Sequence, residues 1–108
     1  MDISIAKAGV WTVISASGEI DLHHSPALRI EIIRHLDAHE SVLLDMADVG
    51  YIDSSGIAVM VQALSHARKL GLDFGLAQPT EPVMRILHLT HLDHYFSMYD
   101  SVQAAPGA

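Results

Sequence analysis

Residues 43–57 have the sequence Leu43-Leu44-Asp45-Met46-Ala47-Asp48-Val49-Gly50-Tyr51-Ile52-Asp53-Ser54-Ser55-Gly56-Ile57. The apolar run at the start does not alternate with polar residues, which is typical of a strand covered on both faces. We expect this strand over 41–45 and a loop over 47–52. From Ile57 onward, apolar residues recur at the spacing of one helix face. The aspartate and serines before that pattern are typical N-cap residues, so the segment predicts a buried strand leading to the N-terminus of a long helix.

The residues upstream predict a hairpin followed by a helix. Ile3 and Ile5 alternate with polar or small neighbours, and residues 10–16 are rich in strand-forming side chains. Ala8-Gly9 between these two segments favours a tight turn. Ser25-Pro26 predicts the start of a helix over 26–38, with Ser25 as its cap.

The residues downstream predict two more strands and two more helices. The strands are expected at 72–77 and 95–99, and a helix is expected from Thr80-Glu81-Pro82 to about residue 89. Asp100-Ser101 is expected to cap a short terminal helix. The order β-β-α-β-α-β-α-β-α predicts an α/β fold, in which a mixed sheet of about five strands is flanked by about four helices.

Length and composition indicate a single domain over 1–108, ordered from about 2 to 103 and ending in a short flexible tail. The 108 residues include 13 acidic and 6 basic side chains and no cysteine, and the formal net charge is −7. This charge suits neither a nucleic acid backbone nor an anionic membrane surface, so we expect no nucleic acid partner and no direct membrane contact. The sequence shows no secretory signal and no membrane span, and we therefore expect a cytoplasmic protein.

Ser54 and Ser55 stand where the long helix begins, close to unpaired N–H groups and a partial positive charge. A phosphate on one of these hydroxyls would be stabilised there and would add about −1.5 to −2 charge to an exposed corner. The alternative is that the aspartate and serines only cap the helix and that Gly56 only fits a crowded turn. The two roles are compatible, because a capping serine still presents a hydroxyl.

Asp53-Ser54-Ser55-Gly56-Ile57, together with Gly18-Glu19-Ile20-Asp21 at the end of the second predicted strand, resembles the anti-sigma-factor antagonists. These proteins are the stand-alone members of the STAS domain family. The pairing of the two segments is more specific than either one alone, and the predicted element order matches along nearly the whole chain. The resemblance implies a STAS-like mixed sheet and a binding module that catalyses nothing and uses no cofactor.

The resemblance also implies a partner-switching pathway. The unphosphorylated protein would bind an anti-sigma factor that is also a serine kinase of the histidine-kinase-like ATPase fold, and would thereby release the client of that factor. The kinase would phosphorylate Ser54, directly after the motif aspartate, with Ser55 as the second choice. Phosphorylation would break the complex, and a metal-dependent PP2C-type phosphatase would restore it. The residues implied in partner binding are Glu19, Asp21, His23, Asp53, Ser54, Ser55, Gly56 and Ile57.

A physical account of this switch follows if Glu19 and Asp21 lie at the same sheet edge as Asp53. A phosphoserine would then join two or three carboxylates, and a partner surface made for a neutral hydroxyl would have to desolvate a dianion. We expect phosphorylation to act locally, without refolding the domain.

Other functions remain open from the residues alone. STAS domains also occur as subunits of lipid-transport ABC complexes and as tails of anion transporters, so a transport scaffold is the main alternative. A serine hydrolase would need a G-x-S-x-G turn, which is absent. Histidines with chelating spacing occur at His35 and His39 and at His88, His91 and His94. Because no H-E-x-x-H pattern accompanies them, we expect no metal site.

Overall fold

The computed structural model describes residues 1–108 and contains five strands and three α-helices. The elements in chain order are β1 (Asp2–Ala8), β2 (Trp11–Ile20), α1 (Ser25–Asp37), β3 (Ser41–Ile52), α2 (Ser54–Lys69), β4 (Phe74–Ala77), α3 (Glu81–Leu89) and β5 (Ser97–Tyr99). The predicted hairpin, the three main helices and the later strands are therefore present, with ends that differ by a few residues.

The sheet is mixed, as predicted, with its strands in the order β1-β2-β3-β4-β5. β1 pairs antiparallel with β2, whereas β2, β3, β4 and β5 run parallel to one another. Because parallel strands end at the same edge, the segments that leave β2 and β3 meet there. The sequence placed the motif serines on one of these segments and the Gly18–Asp21 acids on the other.

Two sequence predictions about the middle and the end of the chain are wrong. The expected loop over 47–52 is a continuation of β3, which pairs with β2 as far as Ile20 and Ile52 through two local register shifts. The expected terminal helix is absent. The hydroxyl of Ser101 accepts the backbone N–H of Ala104 as an N-cap would, but only isolated turns follow before Pro106 and Gly107 interrupt the segment.

The main core lies between the sheet and the helices. It contains strand residues such as Ile14 and Leu44 together with helix residues such as Leu28, Met60 and Leu87, all fully buried. The opposite face of the sheet carries a smaller cluster without any helical residue. Its buried members are Trp11, Val13, Leu43, Ala77 and Ala105.

The C-terminal residues cover this second face rather than forming the loose tail expected from the sequence. The indole Nε1 of Trp11 donates to the carbonyl of Pro106 at 2.8 Å, and the Val10 N–H donates to the carbonyl of Gly107 at 2.8 Å. Ala105 is buried between them and the sheet. The small side chains and the proline of this segment show no helix or strand periodicity in the sequence. In the structure they pack closely on the Trp11 side chain.

All three helices end in the same way, with one residue in the left-handed region. This residue is His39 after α1, Gly71 after α2 and His91 after α3, with φ values of 61°, 71° and 59°. In each case two backbone bonds close the helix end, for example Glu40 N to His35 O at 3.1 Å and His39 N to Leu36 O at 2.9 Å. This is the Schellman arrangement, in which glycine is the favoured residue.

Replacing His39 or His91 by glycine is therefore expected to stabilise the protein. A side chain in the left-handed region costs about 1–2 kcal/mol, of which glycine's greater flexibility offsets roughly 0.5–1 kcal/mol. We expect each variant to raise the free energy of unfolding by about 0.5–1 kcal/mol in urea titrations. The matched control is Gly71→Ala, which should lower stability through backbone strain alone, because no atom lies within 4 Å of the added methyl. A less stable His39→Gly variant would contradict this reasoning.

A cluster of polar side chains joins β1, β2 and α1 to the residue that precedes β3. It lies at the end of the sheet opposite the motif serines. The buried Thr12 hydroxyl donates to Glu40 Oε1 at 2.6 Å and accepts from Lys7 Nζ at 2.6 Å. His35 Nδ1 lies 2.8 Å from the same carboxylate oxygen. The Thr12 hydroxyl, together with His35 and Lys7, lowers the pKa of Glu40 from 4.5 to about 2, against partial burial that would raise it.

The lowered pKa of Glu40 predicts acid sensitivity in a defined window. Between pH 4.5 and about 2 the unfolded chain takes up a proton at Glu40 that the folded chain does not, so stability falls as the pH falls through this range. Glu40→Gln should be less stable than the wild type at neutral pH. The difference in free energy of unfolding between the two proteins should be smaller at about pH 3. Urea unfolding midpoints at both pH values test this expectation. An equal gap at the two values would show that the Glu40 charge is not responsible.

Candidate functional site

The candidate site lies where β2 and β3 end side by side. Ile20, the last residue of β2, pairs with Ile52, the last residue of β3. The backbone N–H of Asp53 then donates to the carbonyl of Ile20 at 3.2 Å. This bond joins the start of α2 to the end of β2, so the two motif segments recognised in the sequence are adjacent in space.

Asp53 caps α2 and also holds the neighbouring loop. Its Oδ1 atom accepts the backbone N–H of Ser55 at 2.9 Å and the Ser55 hydroxyl at 2.5 Å. The bond from the Ser55 hydroxyl, together with backbone N–H groups of Ser55, Gly56 and Leu22, holds the pKa of Asp53 below its usual range, against partial burial that would raise it. The carboxylate is therefore ionised at neutral pH, and it links α2 to the loop that follows β2.

The two motif serines differ in what their hydroxyls do. Ser54 is the first residue of α2, its side chain is exposed, and its hydroxyl has no hydrogen-bond partner in the protein. The Ser55 side chain is partly buried, and its hydroxyl donates to Asp53. A modifying enzyme could reach the Ser54 oxygen directly, whereas attack at Ser55 would first have to break the bond to the cap.

Gly56 and Ile57 lie inside the protein rather than on its surface. Both are buried, and Ile57 belongs to the main core. A methyl group added at Gly56 would lie 2.6 Å from Ile52 Cγ1 and 2.8 Å from Ile20 Cγ2. Glycine thus allows α2 to begin directly on the ends of β2 and β3. In this buried position the two residues fix the position of their neighbours, and their part in partner binding stays a prediction.

Asp21 organises the loop between β2 and α1. Its carboxylate accepts the backbone N–H of His24 at 3.0 Å and lies 2.7 Å from His24 Nδ1. Partial burial favours a higher pKa for Asp21, but the bonds from His24 outweigh it, and the pKa is lowered overall. Ser25 is the first residue of α1 and is buried, the N-cap position is His24, and α1 has no side-chain cap bond, so the capping role predicted for Ser25 is wrong.

The remaining predicted residues are exposed at the same edge. Glu19 is exposed on β2 opposite Tyr51 of β3, and His23 is exposed with its ring edge-on to that of His24, the ring centroids lying 4.8 Å apart. The acidic residues Glu19, Asp21 and Asp53 are therefore brought to one end of two adjacent strands.

The occupied cap alters the electrostatic expectation for a phosphate at Ser54. The sequence suggested that free N–H groups at the helix start would stabilise it. In the structure the Asp53 carboxylate already accepts the backbone N–H and the hydroxyl of Ser55. A phosphate on Ser54 would therefore stand beside an ionised carboxylate and project its charge toward solvent.

Two exposed apolar side chains at this end of β2 and β3 were not recognised from the sequence. Leu22 is 77% exposed and Tyr51 is 48% exposed. Leu22 lies in the loop after β2, whose backbone N–H helps to lower the pKa of Asp53. Tyr51 is the second-last residue of β3, two positions before Asp53. The sequence offered one indication of this apolar surface, namely a leucine between Asp21 and His23 that belongs to no helix or strand pattern. Exposed apolar side chains at the same end of the sheet as Ser54 are suited to contact with a protein.

Membrane-spanning helices and metal-binding clusters are two further features that could bear on function. None of the helices has both the length and the apolar character that crossing a bilayer requires. No three His, Asp, Glu or Cys side chains are grouped so that they could hold a metal ion. His88 Nδ1 and His94 Nε2 lie 3.1 and 3.4 Å from Asp93 Oδ2, and both histidine side chains are exposed on the surface.

Comparison with known proteins agrees with this geometry. A protein from Thermotoga neapolitana, named as a candidate anti-sigma factor antagonist, is 36% identical over 67 residues, which are 62% of this chain and 59% of that protein. The anti-sigma-B factor antagonist of Bacillus subtilis is 28% identical over 79 residues, covering 73% of this chain and 72% of that one.

A solved structure has the same fold along almost the whole chain. The anti-sigma factor antagonist from Mycobacterium paratuberculosis superposes with a TM-score of 0.81 at 27% identity, covering 94% of this chain and 87% of that one. Residues 2–105 match the profile of the STAS domain. The chain belongs to the STAS domain family, and its homologues are named anti-sigma factor antagonists.

Proposed function

We propose that this protein is an anti-sigma factor antagonist whose activity is switched by phosphorylation of Ser54. Its unphosphorylated form binds an anti-sigma factor and so releases the client of that factor. The protein works by binding and catalyses no reaction. The observation that carries this proposal is the exposed, unbonded Ser54 hydroxyl at the start of α2, next to the Asp53 cap, with Asp21 and Glu19 at the end of the neighbouring strand β2.

The proposed partner surface is centred on Ser54. Leu22 and Tyr51 supply exposed apolar area, while Glu19 and His23 supply polar contacts around it. Asp53 and Gly56 fix the position of the hydroxyl, one by capping α2 and the other by allowing its close approach to the sheet. A partner that covers this surface also covers the hydroxyl and removes it from water.

The proposed switch is electrostatic and local. Transfer of a phosphoryl group from ATP to the Ser54 oxygen replaces a neutral hydroxyl by a group of about −1.5 to −2 charge. The cap N–H of Ser55 is already bonded to Asp53, so it does not neutralise the added charge. Burying this charge without a counter-ion costs several kcal/mol, and each ~1.4 kcal/mol weakens binding tenfold.

We propose two enzymes as partners in this cycle. The first is the bound anti-sigma factor itself, acting as a serine kinase of the histidine-kinase-like ATPase fold. The second is a PP2C-type phosphatase that removes the phosphate and restores binding. Both reach the exposed Ser54 from solvent, and we place the cycle in the cytoplasm. The net charge of −7 argues against nucleic acid or an anionic membrane as the binding partner.

Phosphate mapping tests the proposed site. The protein is incubated with ATP and each candidate kinase of that fold from its own genome, and the modified residue is located by mass spectrometry. We expect one phosphate on Ser54 in the wild type and in Ser55→Ala, and none in Ser54→Ala. A phosphate on Ser55 in the wild type, or none with any of these kinases, would refute the assignment.

A further inference from the structure

The outer edge of β1 is open and unusually poorly protected. β1 is the terminal strand of the sheet and pairs only with β2. Its pairing runs from Asp2 to Ala8 without a bulge, and it contains no proline. Lys7 is the one basic residue of β1, and although its side chain is 65% exposed, its ammonium is held by Thr12 and Glu40. Natural edge strands normally carry such devices because unpaired N–H and C=O groups attract further strands.

A groove beside this edge is apolar at its centre and carries both signs of charge. It has a volume of about 440 Å³ and is lined by Ile3, Ile5, Ala27, Ile30, Glu31 and Arg34. We refer to it as the β1 groove. Ile5 is 42% exposed and Ile30 is 58% exposed, whereas their neighbours Ile14 and Ile32 are fully buried. Helix α1 packs mainly over β2 and β3, so the helix layer leaves this side of β1 uncovered.

We propose that a second copy of this chain occupies the β1 groove, with the two β1 strands paired antiparallel about a two-fold axis. A strand is the occupant that satisfies an open row of backbone groups, and β1 of the second copy is an exposed strand of the same length. The dimer has a continuous ten-stranded sheet with the helices of both copies on one side.

The side chains of the β1 groove are self-complementary under this axis. An axis perpendicular to the sheet keeps both helix layers on one side and places odd residues opposite odd ones. Pairing centred on Ile5 sets Ile5 against its own copy, and pairing centred on Ser4 sets Ile3 against Ile5. Arg34 and Glu31 now pair with each other at 2.6 Å within one copy, and each can instead meet the opposite charge across the axis.

The dimer leaves the Ser54 site free. β1 lies at the outer edge of the sheet beside β2, while Ser54 lies beyond the ends of β2 and β3. Dimerisation does not depend on the proposed phosphorylation, and two copies would present two Ser54 surfaces. A result that disproves the dimer would therefore not affect the proposed function at Ser54. A result that disproves phosphorylation of Ser54 would likewise not affect the proposed dimer.

Sedimentation equilibrium of the whole unmodified chain over a wide concentration range tests the proposal. We expect a reversible monomer–dimer equilibrium, and we expect Ile5→Lys and Ile30→Glu each to raise its dissociation constant at least ~10-fold. The matched control is Leu89→Glu, which adds a charge at an apolar residue that is 71% exposed on α3, far from the groove. It should leave the equilibrium unchanged.

A cysteine cross-link provides an independent measurement, because the chain contains no cysteine of its own. Under mild oxidation, Ile5→Cys should form a disulfide-linked dimer when the pairing is centred on Ile5, and Ser4→Cys should do so when it is centred on Ser4, whereas Ala58→Cys on the exposed face of α2 should form none. A wild type that stays monomeric at every concentration overturns the proposal. Dimers that survive both Ile5→Lys and Ile30→Glu, or that are lost equally in Leu89→Glu, also overturn it.

Discussion

A Ser54→Asp variant is expected to bind the anti-sigma factor at least ~10-fold more weakly than the wild type, because it places a permanent charge in a surface that the partner must desolvate. Ser54→Ala should bind about as well as the wild type. The Ser54 hydroxyl makes no hydrogen bond and the helix cap is made by Asp53, so both are unaffected by its removal. Titration calorimetry with the kinase partner identified by phosphate mapping measures both constants.

The matched control for this comparison is Ser65→Asp. Ser65 is also an exposed serine of α2, so the variant adds the same charge to the same helix, away from the Ser54 surface. It should bind within about twofold of the wild type, since an exposed charge away from the interface is largely screened. If Ser65→Asp weakened binding as much as Ser54→Asp, overall net charge rather than the local surface would be responsible.

A Gly56→Ala variant is expected to be less stable than the wild type by about 1–3 kcal/mol, the cost of overpacking a closely fitted core. In an unhindered helix the same change would stabilise by about 1 kcal/mol. Here the added methyl would lie within 3 Å of Ile52 and of Ile20. The Ile20 methyl is fixed on a branched side chain, so α2 must shift from the strand ends. Thermal unfolding should show a midpoint lowered by about 4–8 °C for each kcal/mol.

Two further variants separate overpacking from a general effect of replacing glycine. Gly50 lies in β3 with no atom within 4 Å of an added methyl, so Gly50→Ala should be neutral or slightly stabilising. Ile52→Ala removes both Cγ1 and Cδ1, which would lie 2.6 and 2.9 Å from the methyl at Gly56, so Gly56→Ala should cost less stability in the Ile52→Ala background than in the wild type. A Gly56→Ala protein as stable as the wild type would contradict the close approach of α2 to the sheet.

The local pattern around α2 was predictable because its determinants are short-range. Apolar residues at helix spacing, an aspartate and two serines before them, and a glycine after Lys69 are all readable in the chain. The pairing of Gly18–Asp21 with Asp53–Gly56 was predicted only through the family resemblance, because their contact depends on the parallel register of β2 and β3.

Other features depend on long-range contacts that no local pattern encodes. Asp48 and Gly50 are poor strand formers, yet β3 continues through them because β2 supplies a partner strand up to Ile52. The C-terminal residues are small and show no periodicity, yet Trp11 draws them onto the sheet. The difference between Ser54 and Ser55 is likewise set by the direction of one hydroxyl toward Asp53.

The most direct test of the switch compares the protein carrying one phosphate on Ser54 with the unmodified protein, using titration calorimetry against the same kinase partner. The electrostatic account predicts at least ~100-fold weaker binding for the phosphorylated form and full recovery after dephosphorylation, since about 3 kcal/mol is lost on burying the charge. It also predicts that NMR shifts change mainly over 19–24 and 51–58. Equal affinities for the two forms, or shift changes spread through the whole core, would contradict it.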